Sequence, residues 1–216
     1  MNTPSQVPLK KVKVIGVVGG IASGKSHVTR VLRSLGCERI DADAIGHHVL
    51  RQPLIIRRLV QRLGASILGD KGEIDRRRLA DLVFTLDGQR TPALAELEEI
   101  THPPIHAAAV RKISELQESP SIRAIIVDAP LLLEAGWASM CDVIIFVETP
   151  ATVRFGRAEA RGWTKEHFDA RELAQIPVDE KRRAATHVIS GELPLERLRE
   201  ELEKILGEVG NDDLGS

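Results

Sequence analysis

The sequence predicts an α/β protein built on a parallel sheet, and three observations carry that expectation. Residues 12–18 (VKVIGVV) form a β-branched run with charge before it and glycine after it, followed directly by helical spacing. Two further continuous apolar runs, AIIV at 124–127 and VIIFV at 143–147, each end at an acidic residue, as buried parallel strands do. Between these groups, from about residue 53 to 118, the chain is rich in helix formers and carries arginines such as Arg57, Arg62 and Arg111 between apolar positions, with no convincing strand.

Each element has its own signal. Val28, Val31, Leu32 and Leu35 recur on one face, so 26–35 reads as a helix that Gly36 stops. A short strand at 38–40 runs into Asp41-Ala42-Asp43, after which 44–50 reads as helix. Residues 151–183 are polar, helical and Arg-rich, Val188 and Ile189 supply a last short strand, and 193–206 is amphipathic. The expected organisation is a core of 11–52 and 122–206 with a lid at about 151–183 and a helical insertion at 53–121. A flexible segment at 1–10 and a disordered tail at 207–216 complete it.

Composition narrows the function classes. With 216 residues, 43% hydrophobic and 28% charged, the chain can bury a substantial core, and collagen-like, low-complexity and disulfide-scaffold classes are excluded. The net charge of -1 gives no overall pull toward nucleic acid. Four Phe, two Trp and no Tyr leave little for base-stacking platforms. Only Cys37 and Cys141 are present, which suits a reduced, cytoplasmic protein. Residues 1–8 lack the basic and long apolar regions of a signal peptide, and no apolar run approaches the ~20 residues of a membrane span.

Gly19-Gly20-Ile21-Ala22-Ser23-Gly24-Lys25-Ser26 matches G-x-x-x-x-G-K-[ST] between a strand and a helix, the context that gives the motif meaning. Its glycines let backbone N–H groups converge on phosphate oxygens, and the helix N-terminus adds positive potential. Lys25 is expected to reach the β- and γ-phosphates of ATP and Ser26 to ligate Mg²⁺. His27 follows in the helix and is grouped with the ATP-binding residues by position, with no chemical role of its own. The alternative is a tight turn with a chance lysine.

Asp41 and Asp43 stand at the carboxyl end of a strand, where open α/β sheets bind ligands. One is expected to accept a proton from an incoming hydroxyl, the other to orient a metal-bound water; the competing reading makes Asp43 the N-cap of the next helix. Asp128 closes an apolar strand and is a candidate Mg²⁺ residue or a simple turn former. Glu134 either contacts substrate or pairs with a neighbouring arginine. Arg157 and Arg161 lie four apart on a predicted helix, with Arg154 three before Arg157, either as a lid face closing over a triphosphate or as a solvated charged face. His102 and His106 have metal-ligand spacing without a third ligand, so His102-Pro103 reads instead as a helix boundary or a substrate contact.

Taken together, GGIASGKS at 19–26, IDAD at 40–43, GEIDR with Leu79 and Phe84 at 72–84, THP at 101–103, PLLLE at 130–134 and the Arg157, Arg161 and Gln175 pattern resemble the dephospho-coenzyme A kinases. The resemblance runs from Ile15 to about Leu206. It implies a P-loop kinase fold with a parallel sheet of about five strands, a helical substrate-binding insertion and a lid. It also implies ATP and Mg²⁺, and γ-phosphoryl transfer to the ribose 3′-hydroxyl of dephospho-coenzyme A, the last step of coenzyme A biosynthesis. By position, Asp43 resembles the general base, Arg157 and Arg161 the lid cations, and Asp41, Arg76, His102, Leu131 and Glu134 the acceptor lining. The small-molecule acceptor is the expected partner, with no nucleic acid or membrane, for a monomer or weak homo-oligomer.

The sequence departs from the family pattern in places. Ala22 replaces the usual glycine, which is harmless where φ is negative, and Thr186 and Gly191 replace an expected Asp and Asn near the last strand. Kinases of nucleoside monophosphates or shikimate would share Lys25 and the lid but have no reason for DAD, HP and PLL-x-E together. A nucleotide-binding switch would need no acidic pair, and no N-K-x-D guanine motif is present.

Overall fold

A computed structural model describes residues 11–84, 91–119, 121–129 and 131–211. The 1–10 segment, Pro130 of the PLLLE motif and residues 212–216 lie outside the described residues. Five strands form one sheet in the order β2-β3-β1-β4-β5: β1 Val14–Val18, β2 Glu38–Asp41, β3 Ile125–Asp128, β4 Val143–Glu148 and β5 His187–Ser190. β1 pairs in parallel with β3 (Val14 opposite Ile125) and with β4 (Ile15 opposite Val143), and β4 pairs in parallel with β5. The continuous apolar runs therefore sit in the middle of the sheet, where both faces are covered. β1 begins at Val14 because the Asp142 carboxylate accepts the Val14 N–H at 2.7 Å.

The core joins Ile15, Val17, Ile126 and Ile145 to the apolar faces of α1 (Lys25–Ser34) and α9 (Leu195–Asn211). The disordered tail expected from residue 207 is corrected over its first part. α9 continues to Asn211, because Leu206 and Val209 are both buried in that core and keep the helix docked. The Arg-rich interval forms α6 (Ala151–Glu159), α7 (Lys165–Leu173) and α8 (Val178–Arg183).

By Cα packing, the described residues up to Ile40 and from Lys112 onward make one unit, and Asp41–Arg111 the other. The second is helical: α2 (Ala42–Val49), α3 (Pro53–Leu63), α4 (Arg76–Val83) and most of α5 (Pro92–Gln117), with one antiparallel bridge between Leu68 and Ile74. It has its own core of Val49, Ile55, Leu59, Ile67, Leu79 and Ile100. Asp75 caps α4 by accepting N–H from Arg77 and Arg78, and Pro53 opens α3 where a missing N–H costs nothing. The helix boundary expected at His102-Pro103 is not there, since α5 runs through Pro103 and Pro104. Packing of Ile100 and Ala109, on either side of the prolines, holds the helix across the lost backbone hydrogen bonds. Among the described residues no helix is long and apolar enough to cross a membrane.

Candidate functional site

β1 delivers the chain into the 19–26 loop, and the loop delivers it into α1. Gly24 has φ +108, a conformation open to glycine, and no side chain caps the helix N-terminus. The N–H groups of His27 and Val28 donate to the Gly24 carbonyl, and those of Lys25 and Ser26 have no side-chain cap, the position at which a helix N-terminus takes an anion. The Lys25 ammonium curls back and donates to the carbonyls of Gly19 and Gly20, both at 2.9 Å. Burial pushes its pKa down to about 8; Lys181 lowers it further, while Asp128 and Glu172 pull the other way. Beside the loop lies a cavity of about 330 Å³ lined by Ser23, Lys25, Ser26, His27, Arg157 and Arg161, among others.

Ala22 does not have the negative φ under which its replacement of glycine would be harmless. It sits at φ +57, the left-handed region, where a Cβ costs about 1 kcal/mol or more. Arg157 comes from α6 and clamps this stretch, donating to the carbonyls of Ala22 (3.3 Å), Ser23 (3.1 Å) and Gly191 (2.9 Å). Arg161 lies just beyond the end of α6, is exposed, and lines the same cavity. One of the two predicted lid cations is thus committed to shaping the loop.

Gly191, where the family pattern has Asn, has no room for a side chain in this structure. A Cβ there would collide with the Ser23 carbonyl and the Thr149 hydroxyl. Thr149 donates to the Ser23 carbonyl at 2.8 Å, so the loop is held from below by a buried hydroxyl. Thr186 bridges the sheet edge, its hydroxyl meeting both the N–H and the carbonyl of Ile144 at 3.1 Å.

Asp128 ends β3, half-buried, and pairs with Arg39 at 2.8 Å. Glu134 does pair with a cation, but with a lysine rather than an arginine: Lys181 Nζ lies 3.0 Å away and is itself 3% exposed. The same carboxylate accepts the Ile176 N–H, and Lys181 also donates to Gln175. Leu131 is exposed nearby in sequence.

Asp41, Asp43, Arg76 and His102 belong to the helical unit. The N-cap of α2 is Asp41, which accepts the Ala44 N–H at 2.9 Å, so the reading of Asp43 as N-cap is corrected. Asp43 lies in the first helical turn with its carboxylate exposed, and Arg76 and His102 are exposed on α4 and α5.

Sequence reasoning missed Lys181, Glu172 and Thr149. Lys181 stands in a run of charge with Arg182 and Arg183, and nothing in the run marks the one side chain that is buried.

For Mg²⁺, the Ser26 hydroxyl and Asp128 carboxylate are hard oxygen donors of the right kind. Among the described residues no cluster of three or more His, Cys, Asp or Glu forms a metal cage.

A model of the dephospho-CoA kinase family matches residues 13–195. The dephospho-CoA kinase of Carboxydothermus hydrogenoformans is 39% identical over 196 residues, covering 89% of this chain and 92% of that protein. Among solved structures, TT1252 from Thermus thermophilus superimposes with a TM-score of 0.75 at 35% identity, covering 92% of this chain and 98% of that one. The dephospho-CoA kinase from Campylobacter jejuni does so at 0.68 and 27%, covering 93% and 98%. A phosphate loop alone would place the chain only in a broad superfamily; with the match extending through the helical unit and the arginine-rich helices, the chain belongs to the dephospho-CoA kinase family.

Proposed function

We propose that this protein is a cytoplasmic kinase that transfers the γ-phosphoryl group of ATP to the ribose 3′-hydroxyl of dephospho-CoA, yielding coenzyme A and ADP. The observation that carries the reading is the uncapped N-terminus of α1 with Lys25 at its base and Arg157 and Arg161 on its flank, in a chain of this family. The backbone N–H groups of the loop bind the phosphates, Lys25 leaves its two carbonyl partners for the β- and γ-oxygens, and Arg161 neutralises charge on the transferred group. Ser26 and Asp128 hold Mg²⁺, which supplies further neutralisation of the phosphate oxygens when bound. The helical unit receives the acceptor, with Asp41, Arg76 and His102 as its contacts, while residues 151–183 act as a lid. Asp43 accepts the proton of the attacking hydroxyl.

An ADP-release assay with and without dephospho-CoA tests this. Release is expected to depend on the acceptor; equal rates with and without it overturn the assignment and favour a nucleotide-binding switch. Asp43→Asn is expected to lower kcat by about 10² to 10⁴ while ATP still binds, and normal turnover by that variant removes Asp43 from the role.

A further inference from the structure

The front of the phosphate loop is gripped by Glu172 together with Arg154, an arginine that is neither a solvated face nor a lid cation but is buried against the loop. Glu172 of α7 accepts the Ile21 N–H through Oε1 at 2.9 Å, and its Oε2 lies 2.6 Å from Arg154 Nη1. Arg154 of α6 donates in turn to the Ile21 carbonyl at 3.3 Å and to the Thr149 carbonyl at 3.2 Å. Both polar groups of one residue's backbone are therefore held by one ion pair. Arg154 is 5% exposed, its guanidinium packs on Gly20 so closely that a Cβ there would collide with it, and it stacks 5.6 Å from the Phe168 ring centroid. The geometry is built rather than incidental, since an arginine this buried is held by four separate contacts.

The next residue explains what the grip is for. Ala22 is strained at φ +57, and a strained backbone persists only where its surroundings over-determine it. On one side Ile21 is fixed by Glu172 and Arg154; on the other, the Ala22 and Ser23 carbonyls are fixed by Arg157. We propose that Arg154 and Glu172 are a positioning pair that holds the phosphate loop in its anion-binding shape against the strain at Ala22, coupling the seating of α7 to nucleotide affinity. Neither residue touches substrate in this scheme; both act through the loop backbone. By linkage, whatever α7 docking contributes to ATP affinity, bound ATP returns to the docking of α7.

The inference rests on ATP binding at this loop, and one set of titrations separates the two. ATP and dephospho-CoA dissociation constants are measured by calorimetry for the wild type, Glu172→Ala, Glu172→Gln, Ala22→Gly and the Glu172→Ala/Ala22→Gly double variant, with thermal melting to confirm folding. Glu172→Ala is expected to weaken ATP binding about 10- to 100-fold, the scale of a lost charge-assisted hydrogen bond, and leave dephospho-CoA binding within about twofold. Glu172→Gln, which keeps an acceptor for the Ile21 N–H, falls between. Glycine at 22 relieves the strain, worth roughly fivefold, so the double variant binds ATP about fivefold more tightly than Glu172→Ala. No ATP binding by the wild type overturns the reading of the site itself. Wild-type binding with Glu172→Ala unchanged, or a double variant that shows no recovery, overturns the pair.

Discussion

At the scale of single residues, Ala22 and Lys25 set the most direct tests. Ala22→Gly removes a Cβ from the left-handed region and is expected to stabilise the fold by about 1 kcal/mol, a rise of roughly 2–4 °C in Tm for a protein of this size. An unchanged or lower Tm by differential scanning calorimetry contradicts that. Lys25 carries its charge only below about pH 8. Phosphate binding needs the ammonium, so kcat/KM for ATP is expected to fall as pH rises through about 8. Stability moves the other way. Between about 8 and the ordinary lysine value of 10.5 the unfolded chain binds more protons than the folded one, so unfolding free energy rises with pH over that window from this group. A pH series of urea melts on the wild type and Lys25→Met checks the sign, because the slope specific to Lys25 disappears in the variant. This behaviour had no trace in the sequence. The motif announces a lysine, but its burial and its closeness to Lys181 arise only when α8 folds back.

At the scale of elements, α9 is the clearest case of packing overriding local pattern. Leu202 is fully buried between α9 and the sheet, and Leu202→Ala is expected to cost about 2–5 kcal/mol in chemical denaturation, with a matching loss of cooperative stability. The apolar spacing made this helix legible, and the parallel strands were legible because buried runs of Val and Ile have few other uses. Its last turn was not, since Gly207 and Gly210 argue for a stop while Val209, one residue of contact, decides otherwise. Asp41 and Asp43 stand where a strand gives way to a helix that begins between them, so their geometry follows a cap instead of a pleat. The prolines at 103 and 104 are local breakers overruled by α5 packing. In the site, residues contiguous in sequence were readable as a motif. Arg154, Glu172 and Thr149 come from separate elements and meet the loop only through the tertiary fold.

At the scale of the whole molecule, both thiols are withdrawn from chemistry. Burial pushes the Cys37 thiol up to about 11 and that of Cys141 up to about 12, Asp142 adding to the latter. At pH 8 the thiolate fraction of Cys37 is about one part in a thousand, so iodoacetamide is expected to label the native protein far more slowly than the urea-unfolded chain. Equal labelling rates contradict that burial. The order of the strands carries a different kind of consequence. β1 is the central strand, and both of its neighbours are encoded more than a hundred residues downstream, whereas the helical core is assembled from one unbroken stretch. During translation at about 5–20 residues per second, the VIGVV segment therefore leaves the ribosome about 5–20 s before either flanking strand exists, with only α1 at hand to cover one of its faces. Until those strands are made, the nascent chain carries an apolar ribbon with both edges unpaired, the kind of exposure that favours aggregation over productive folding.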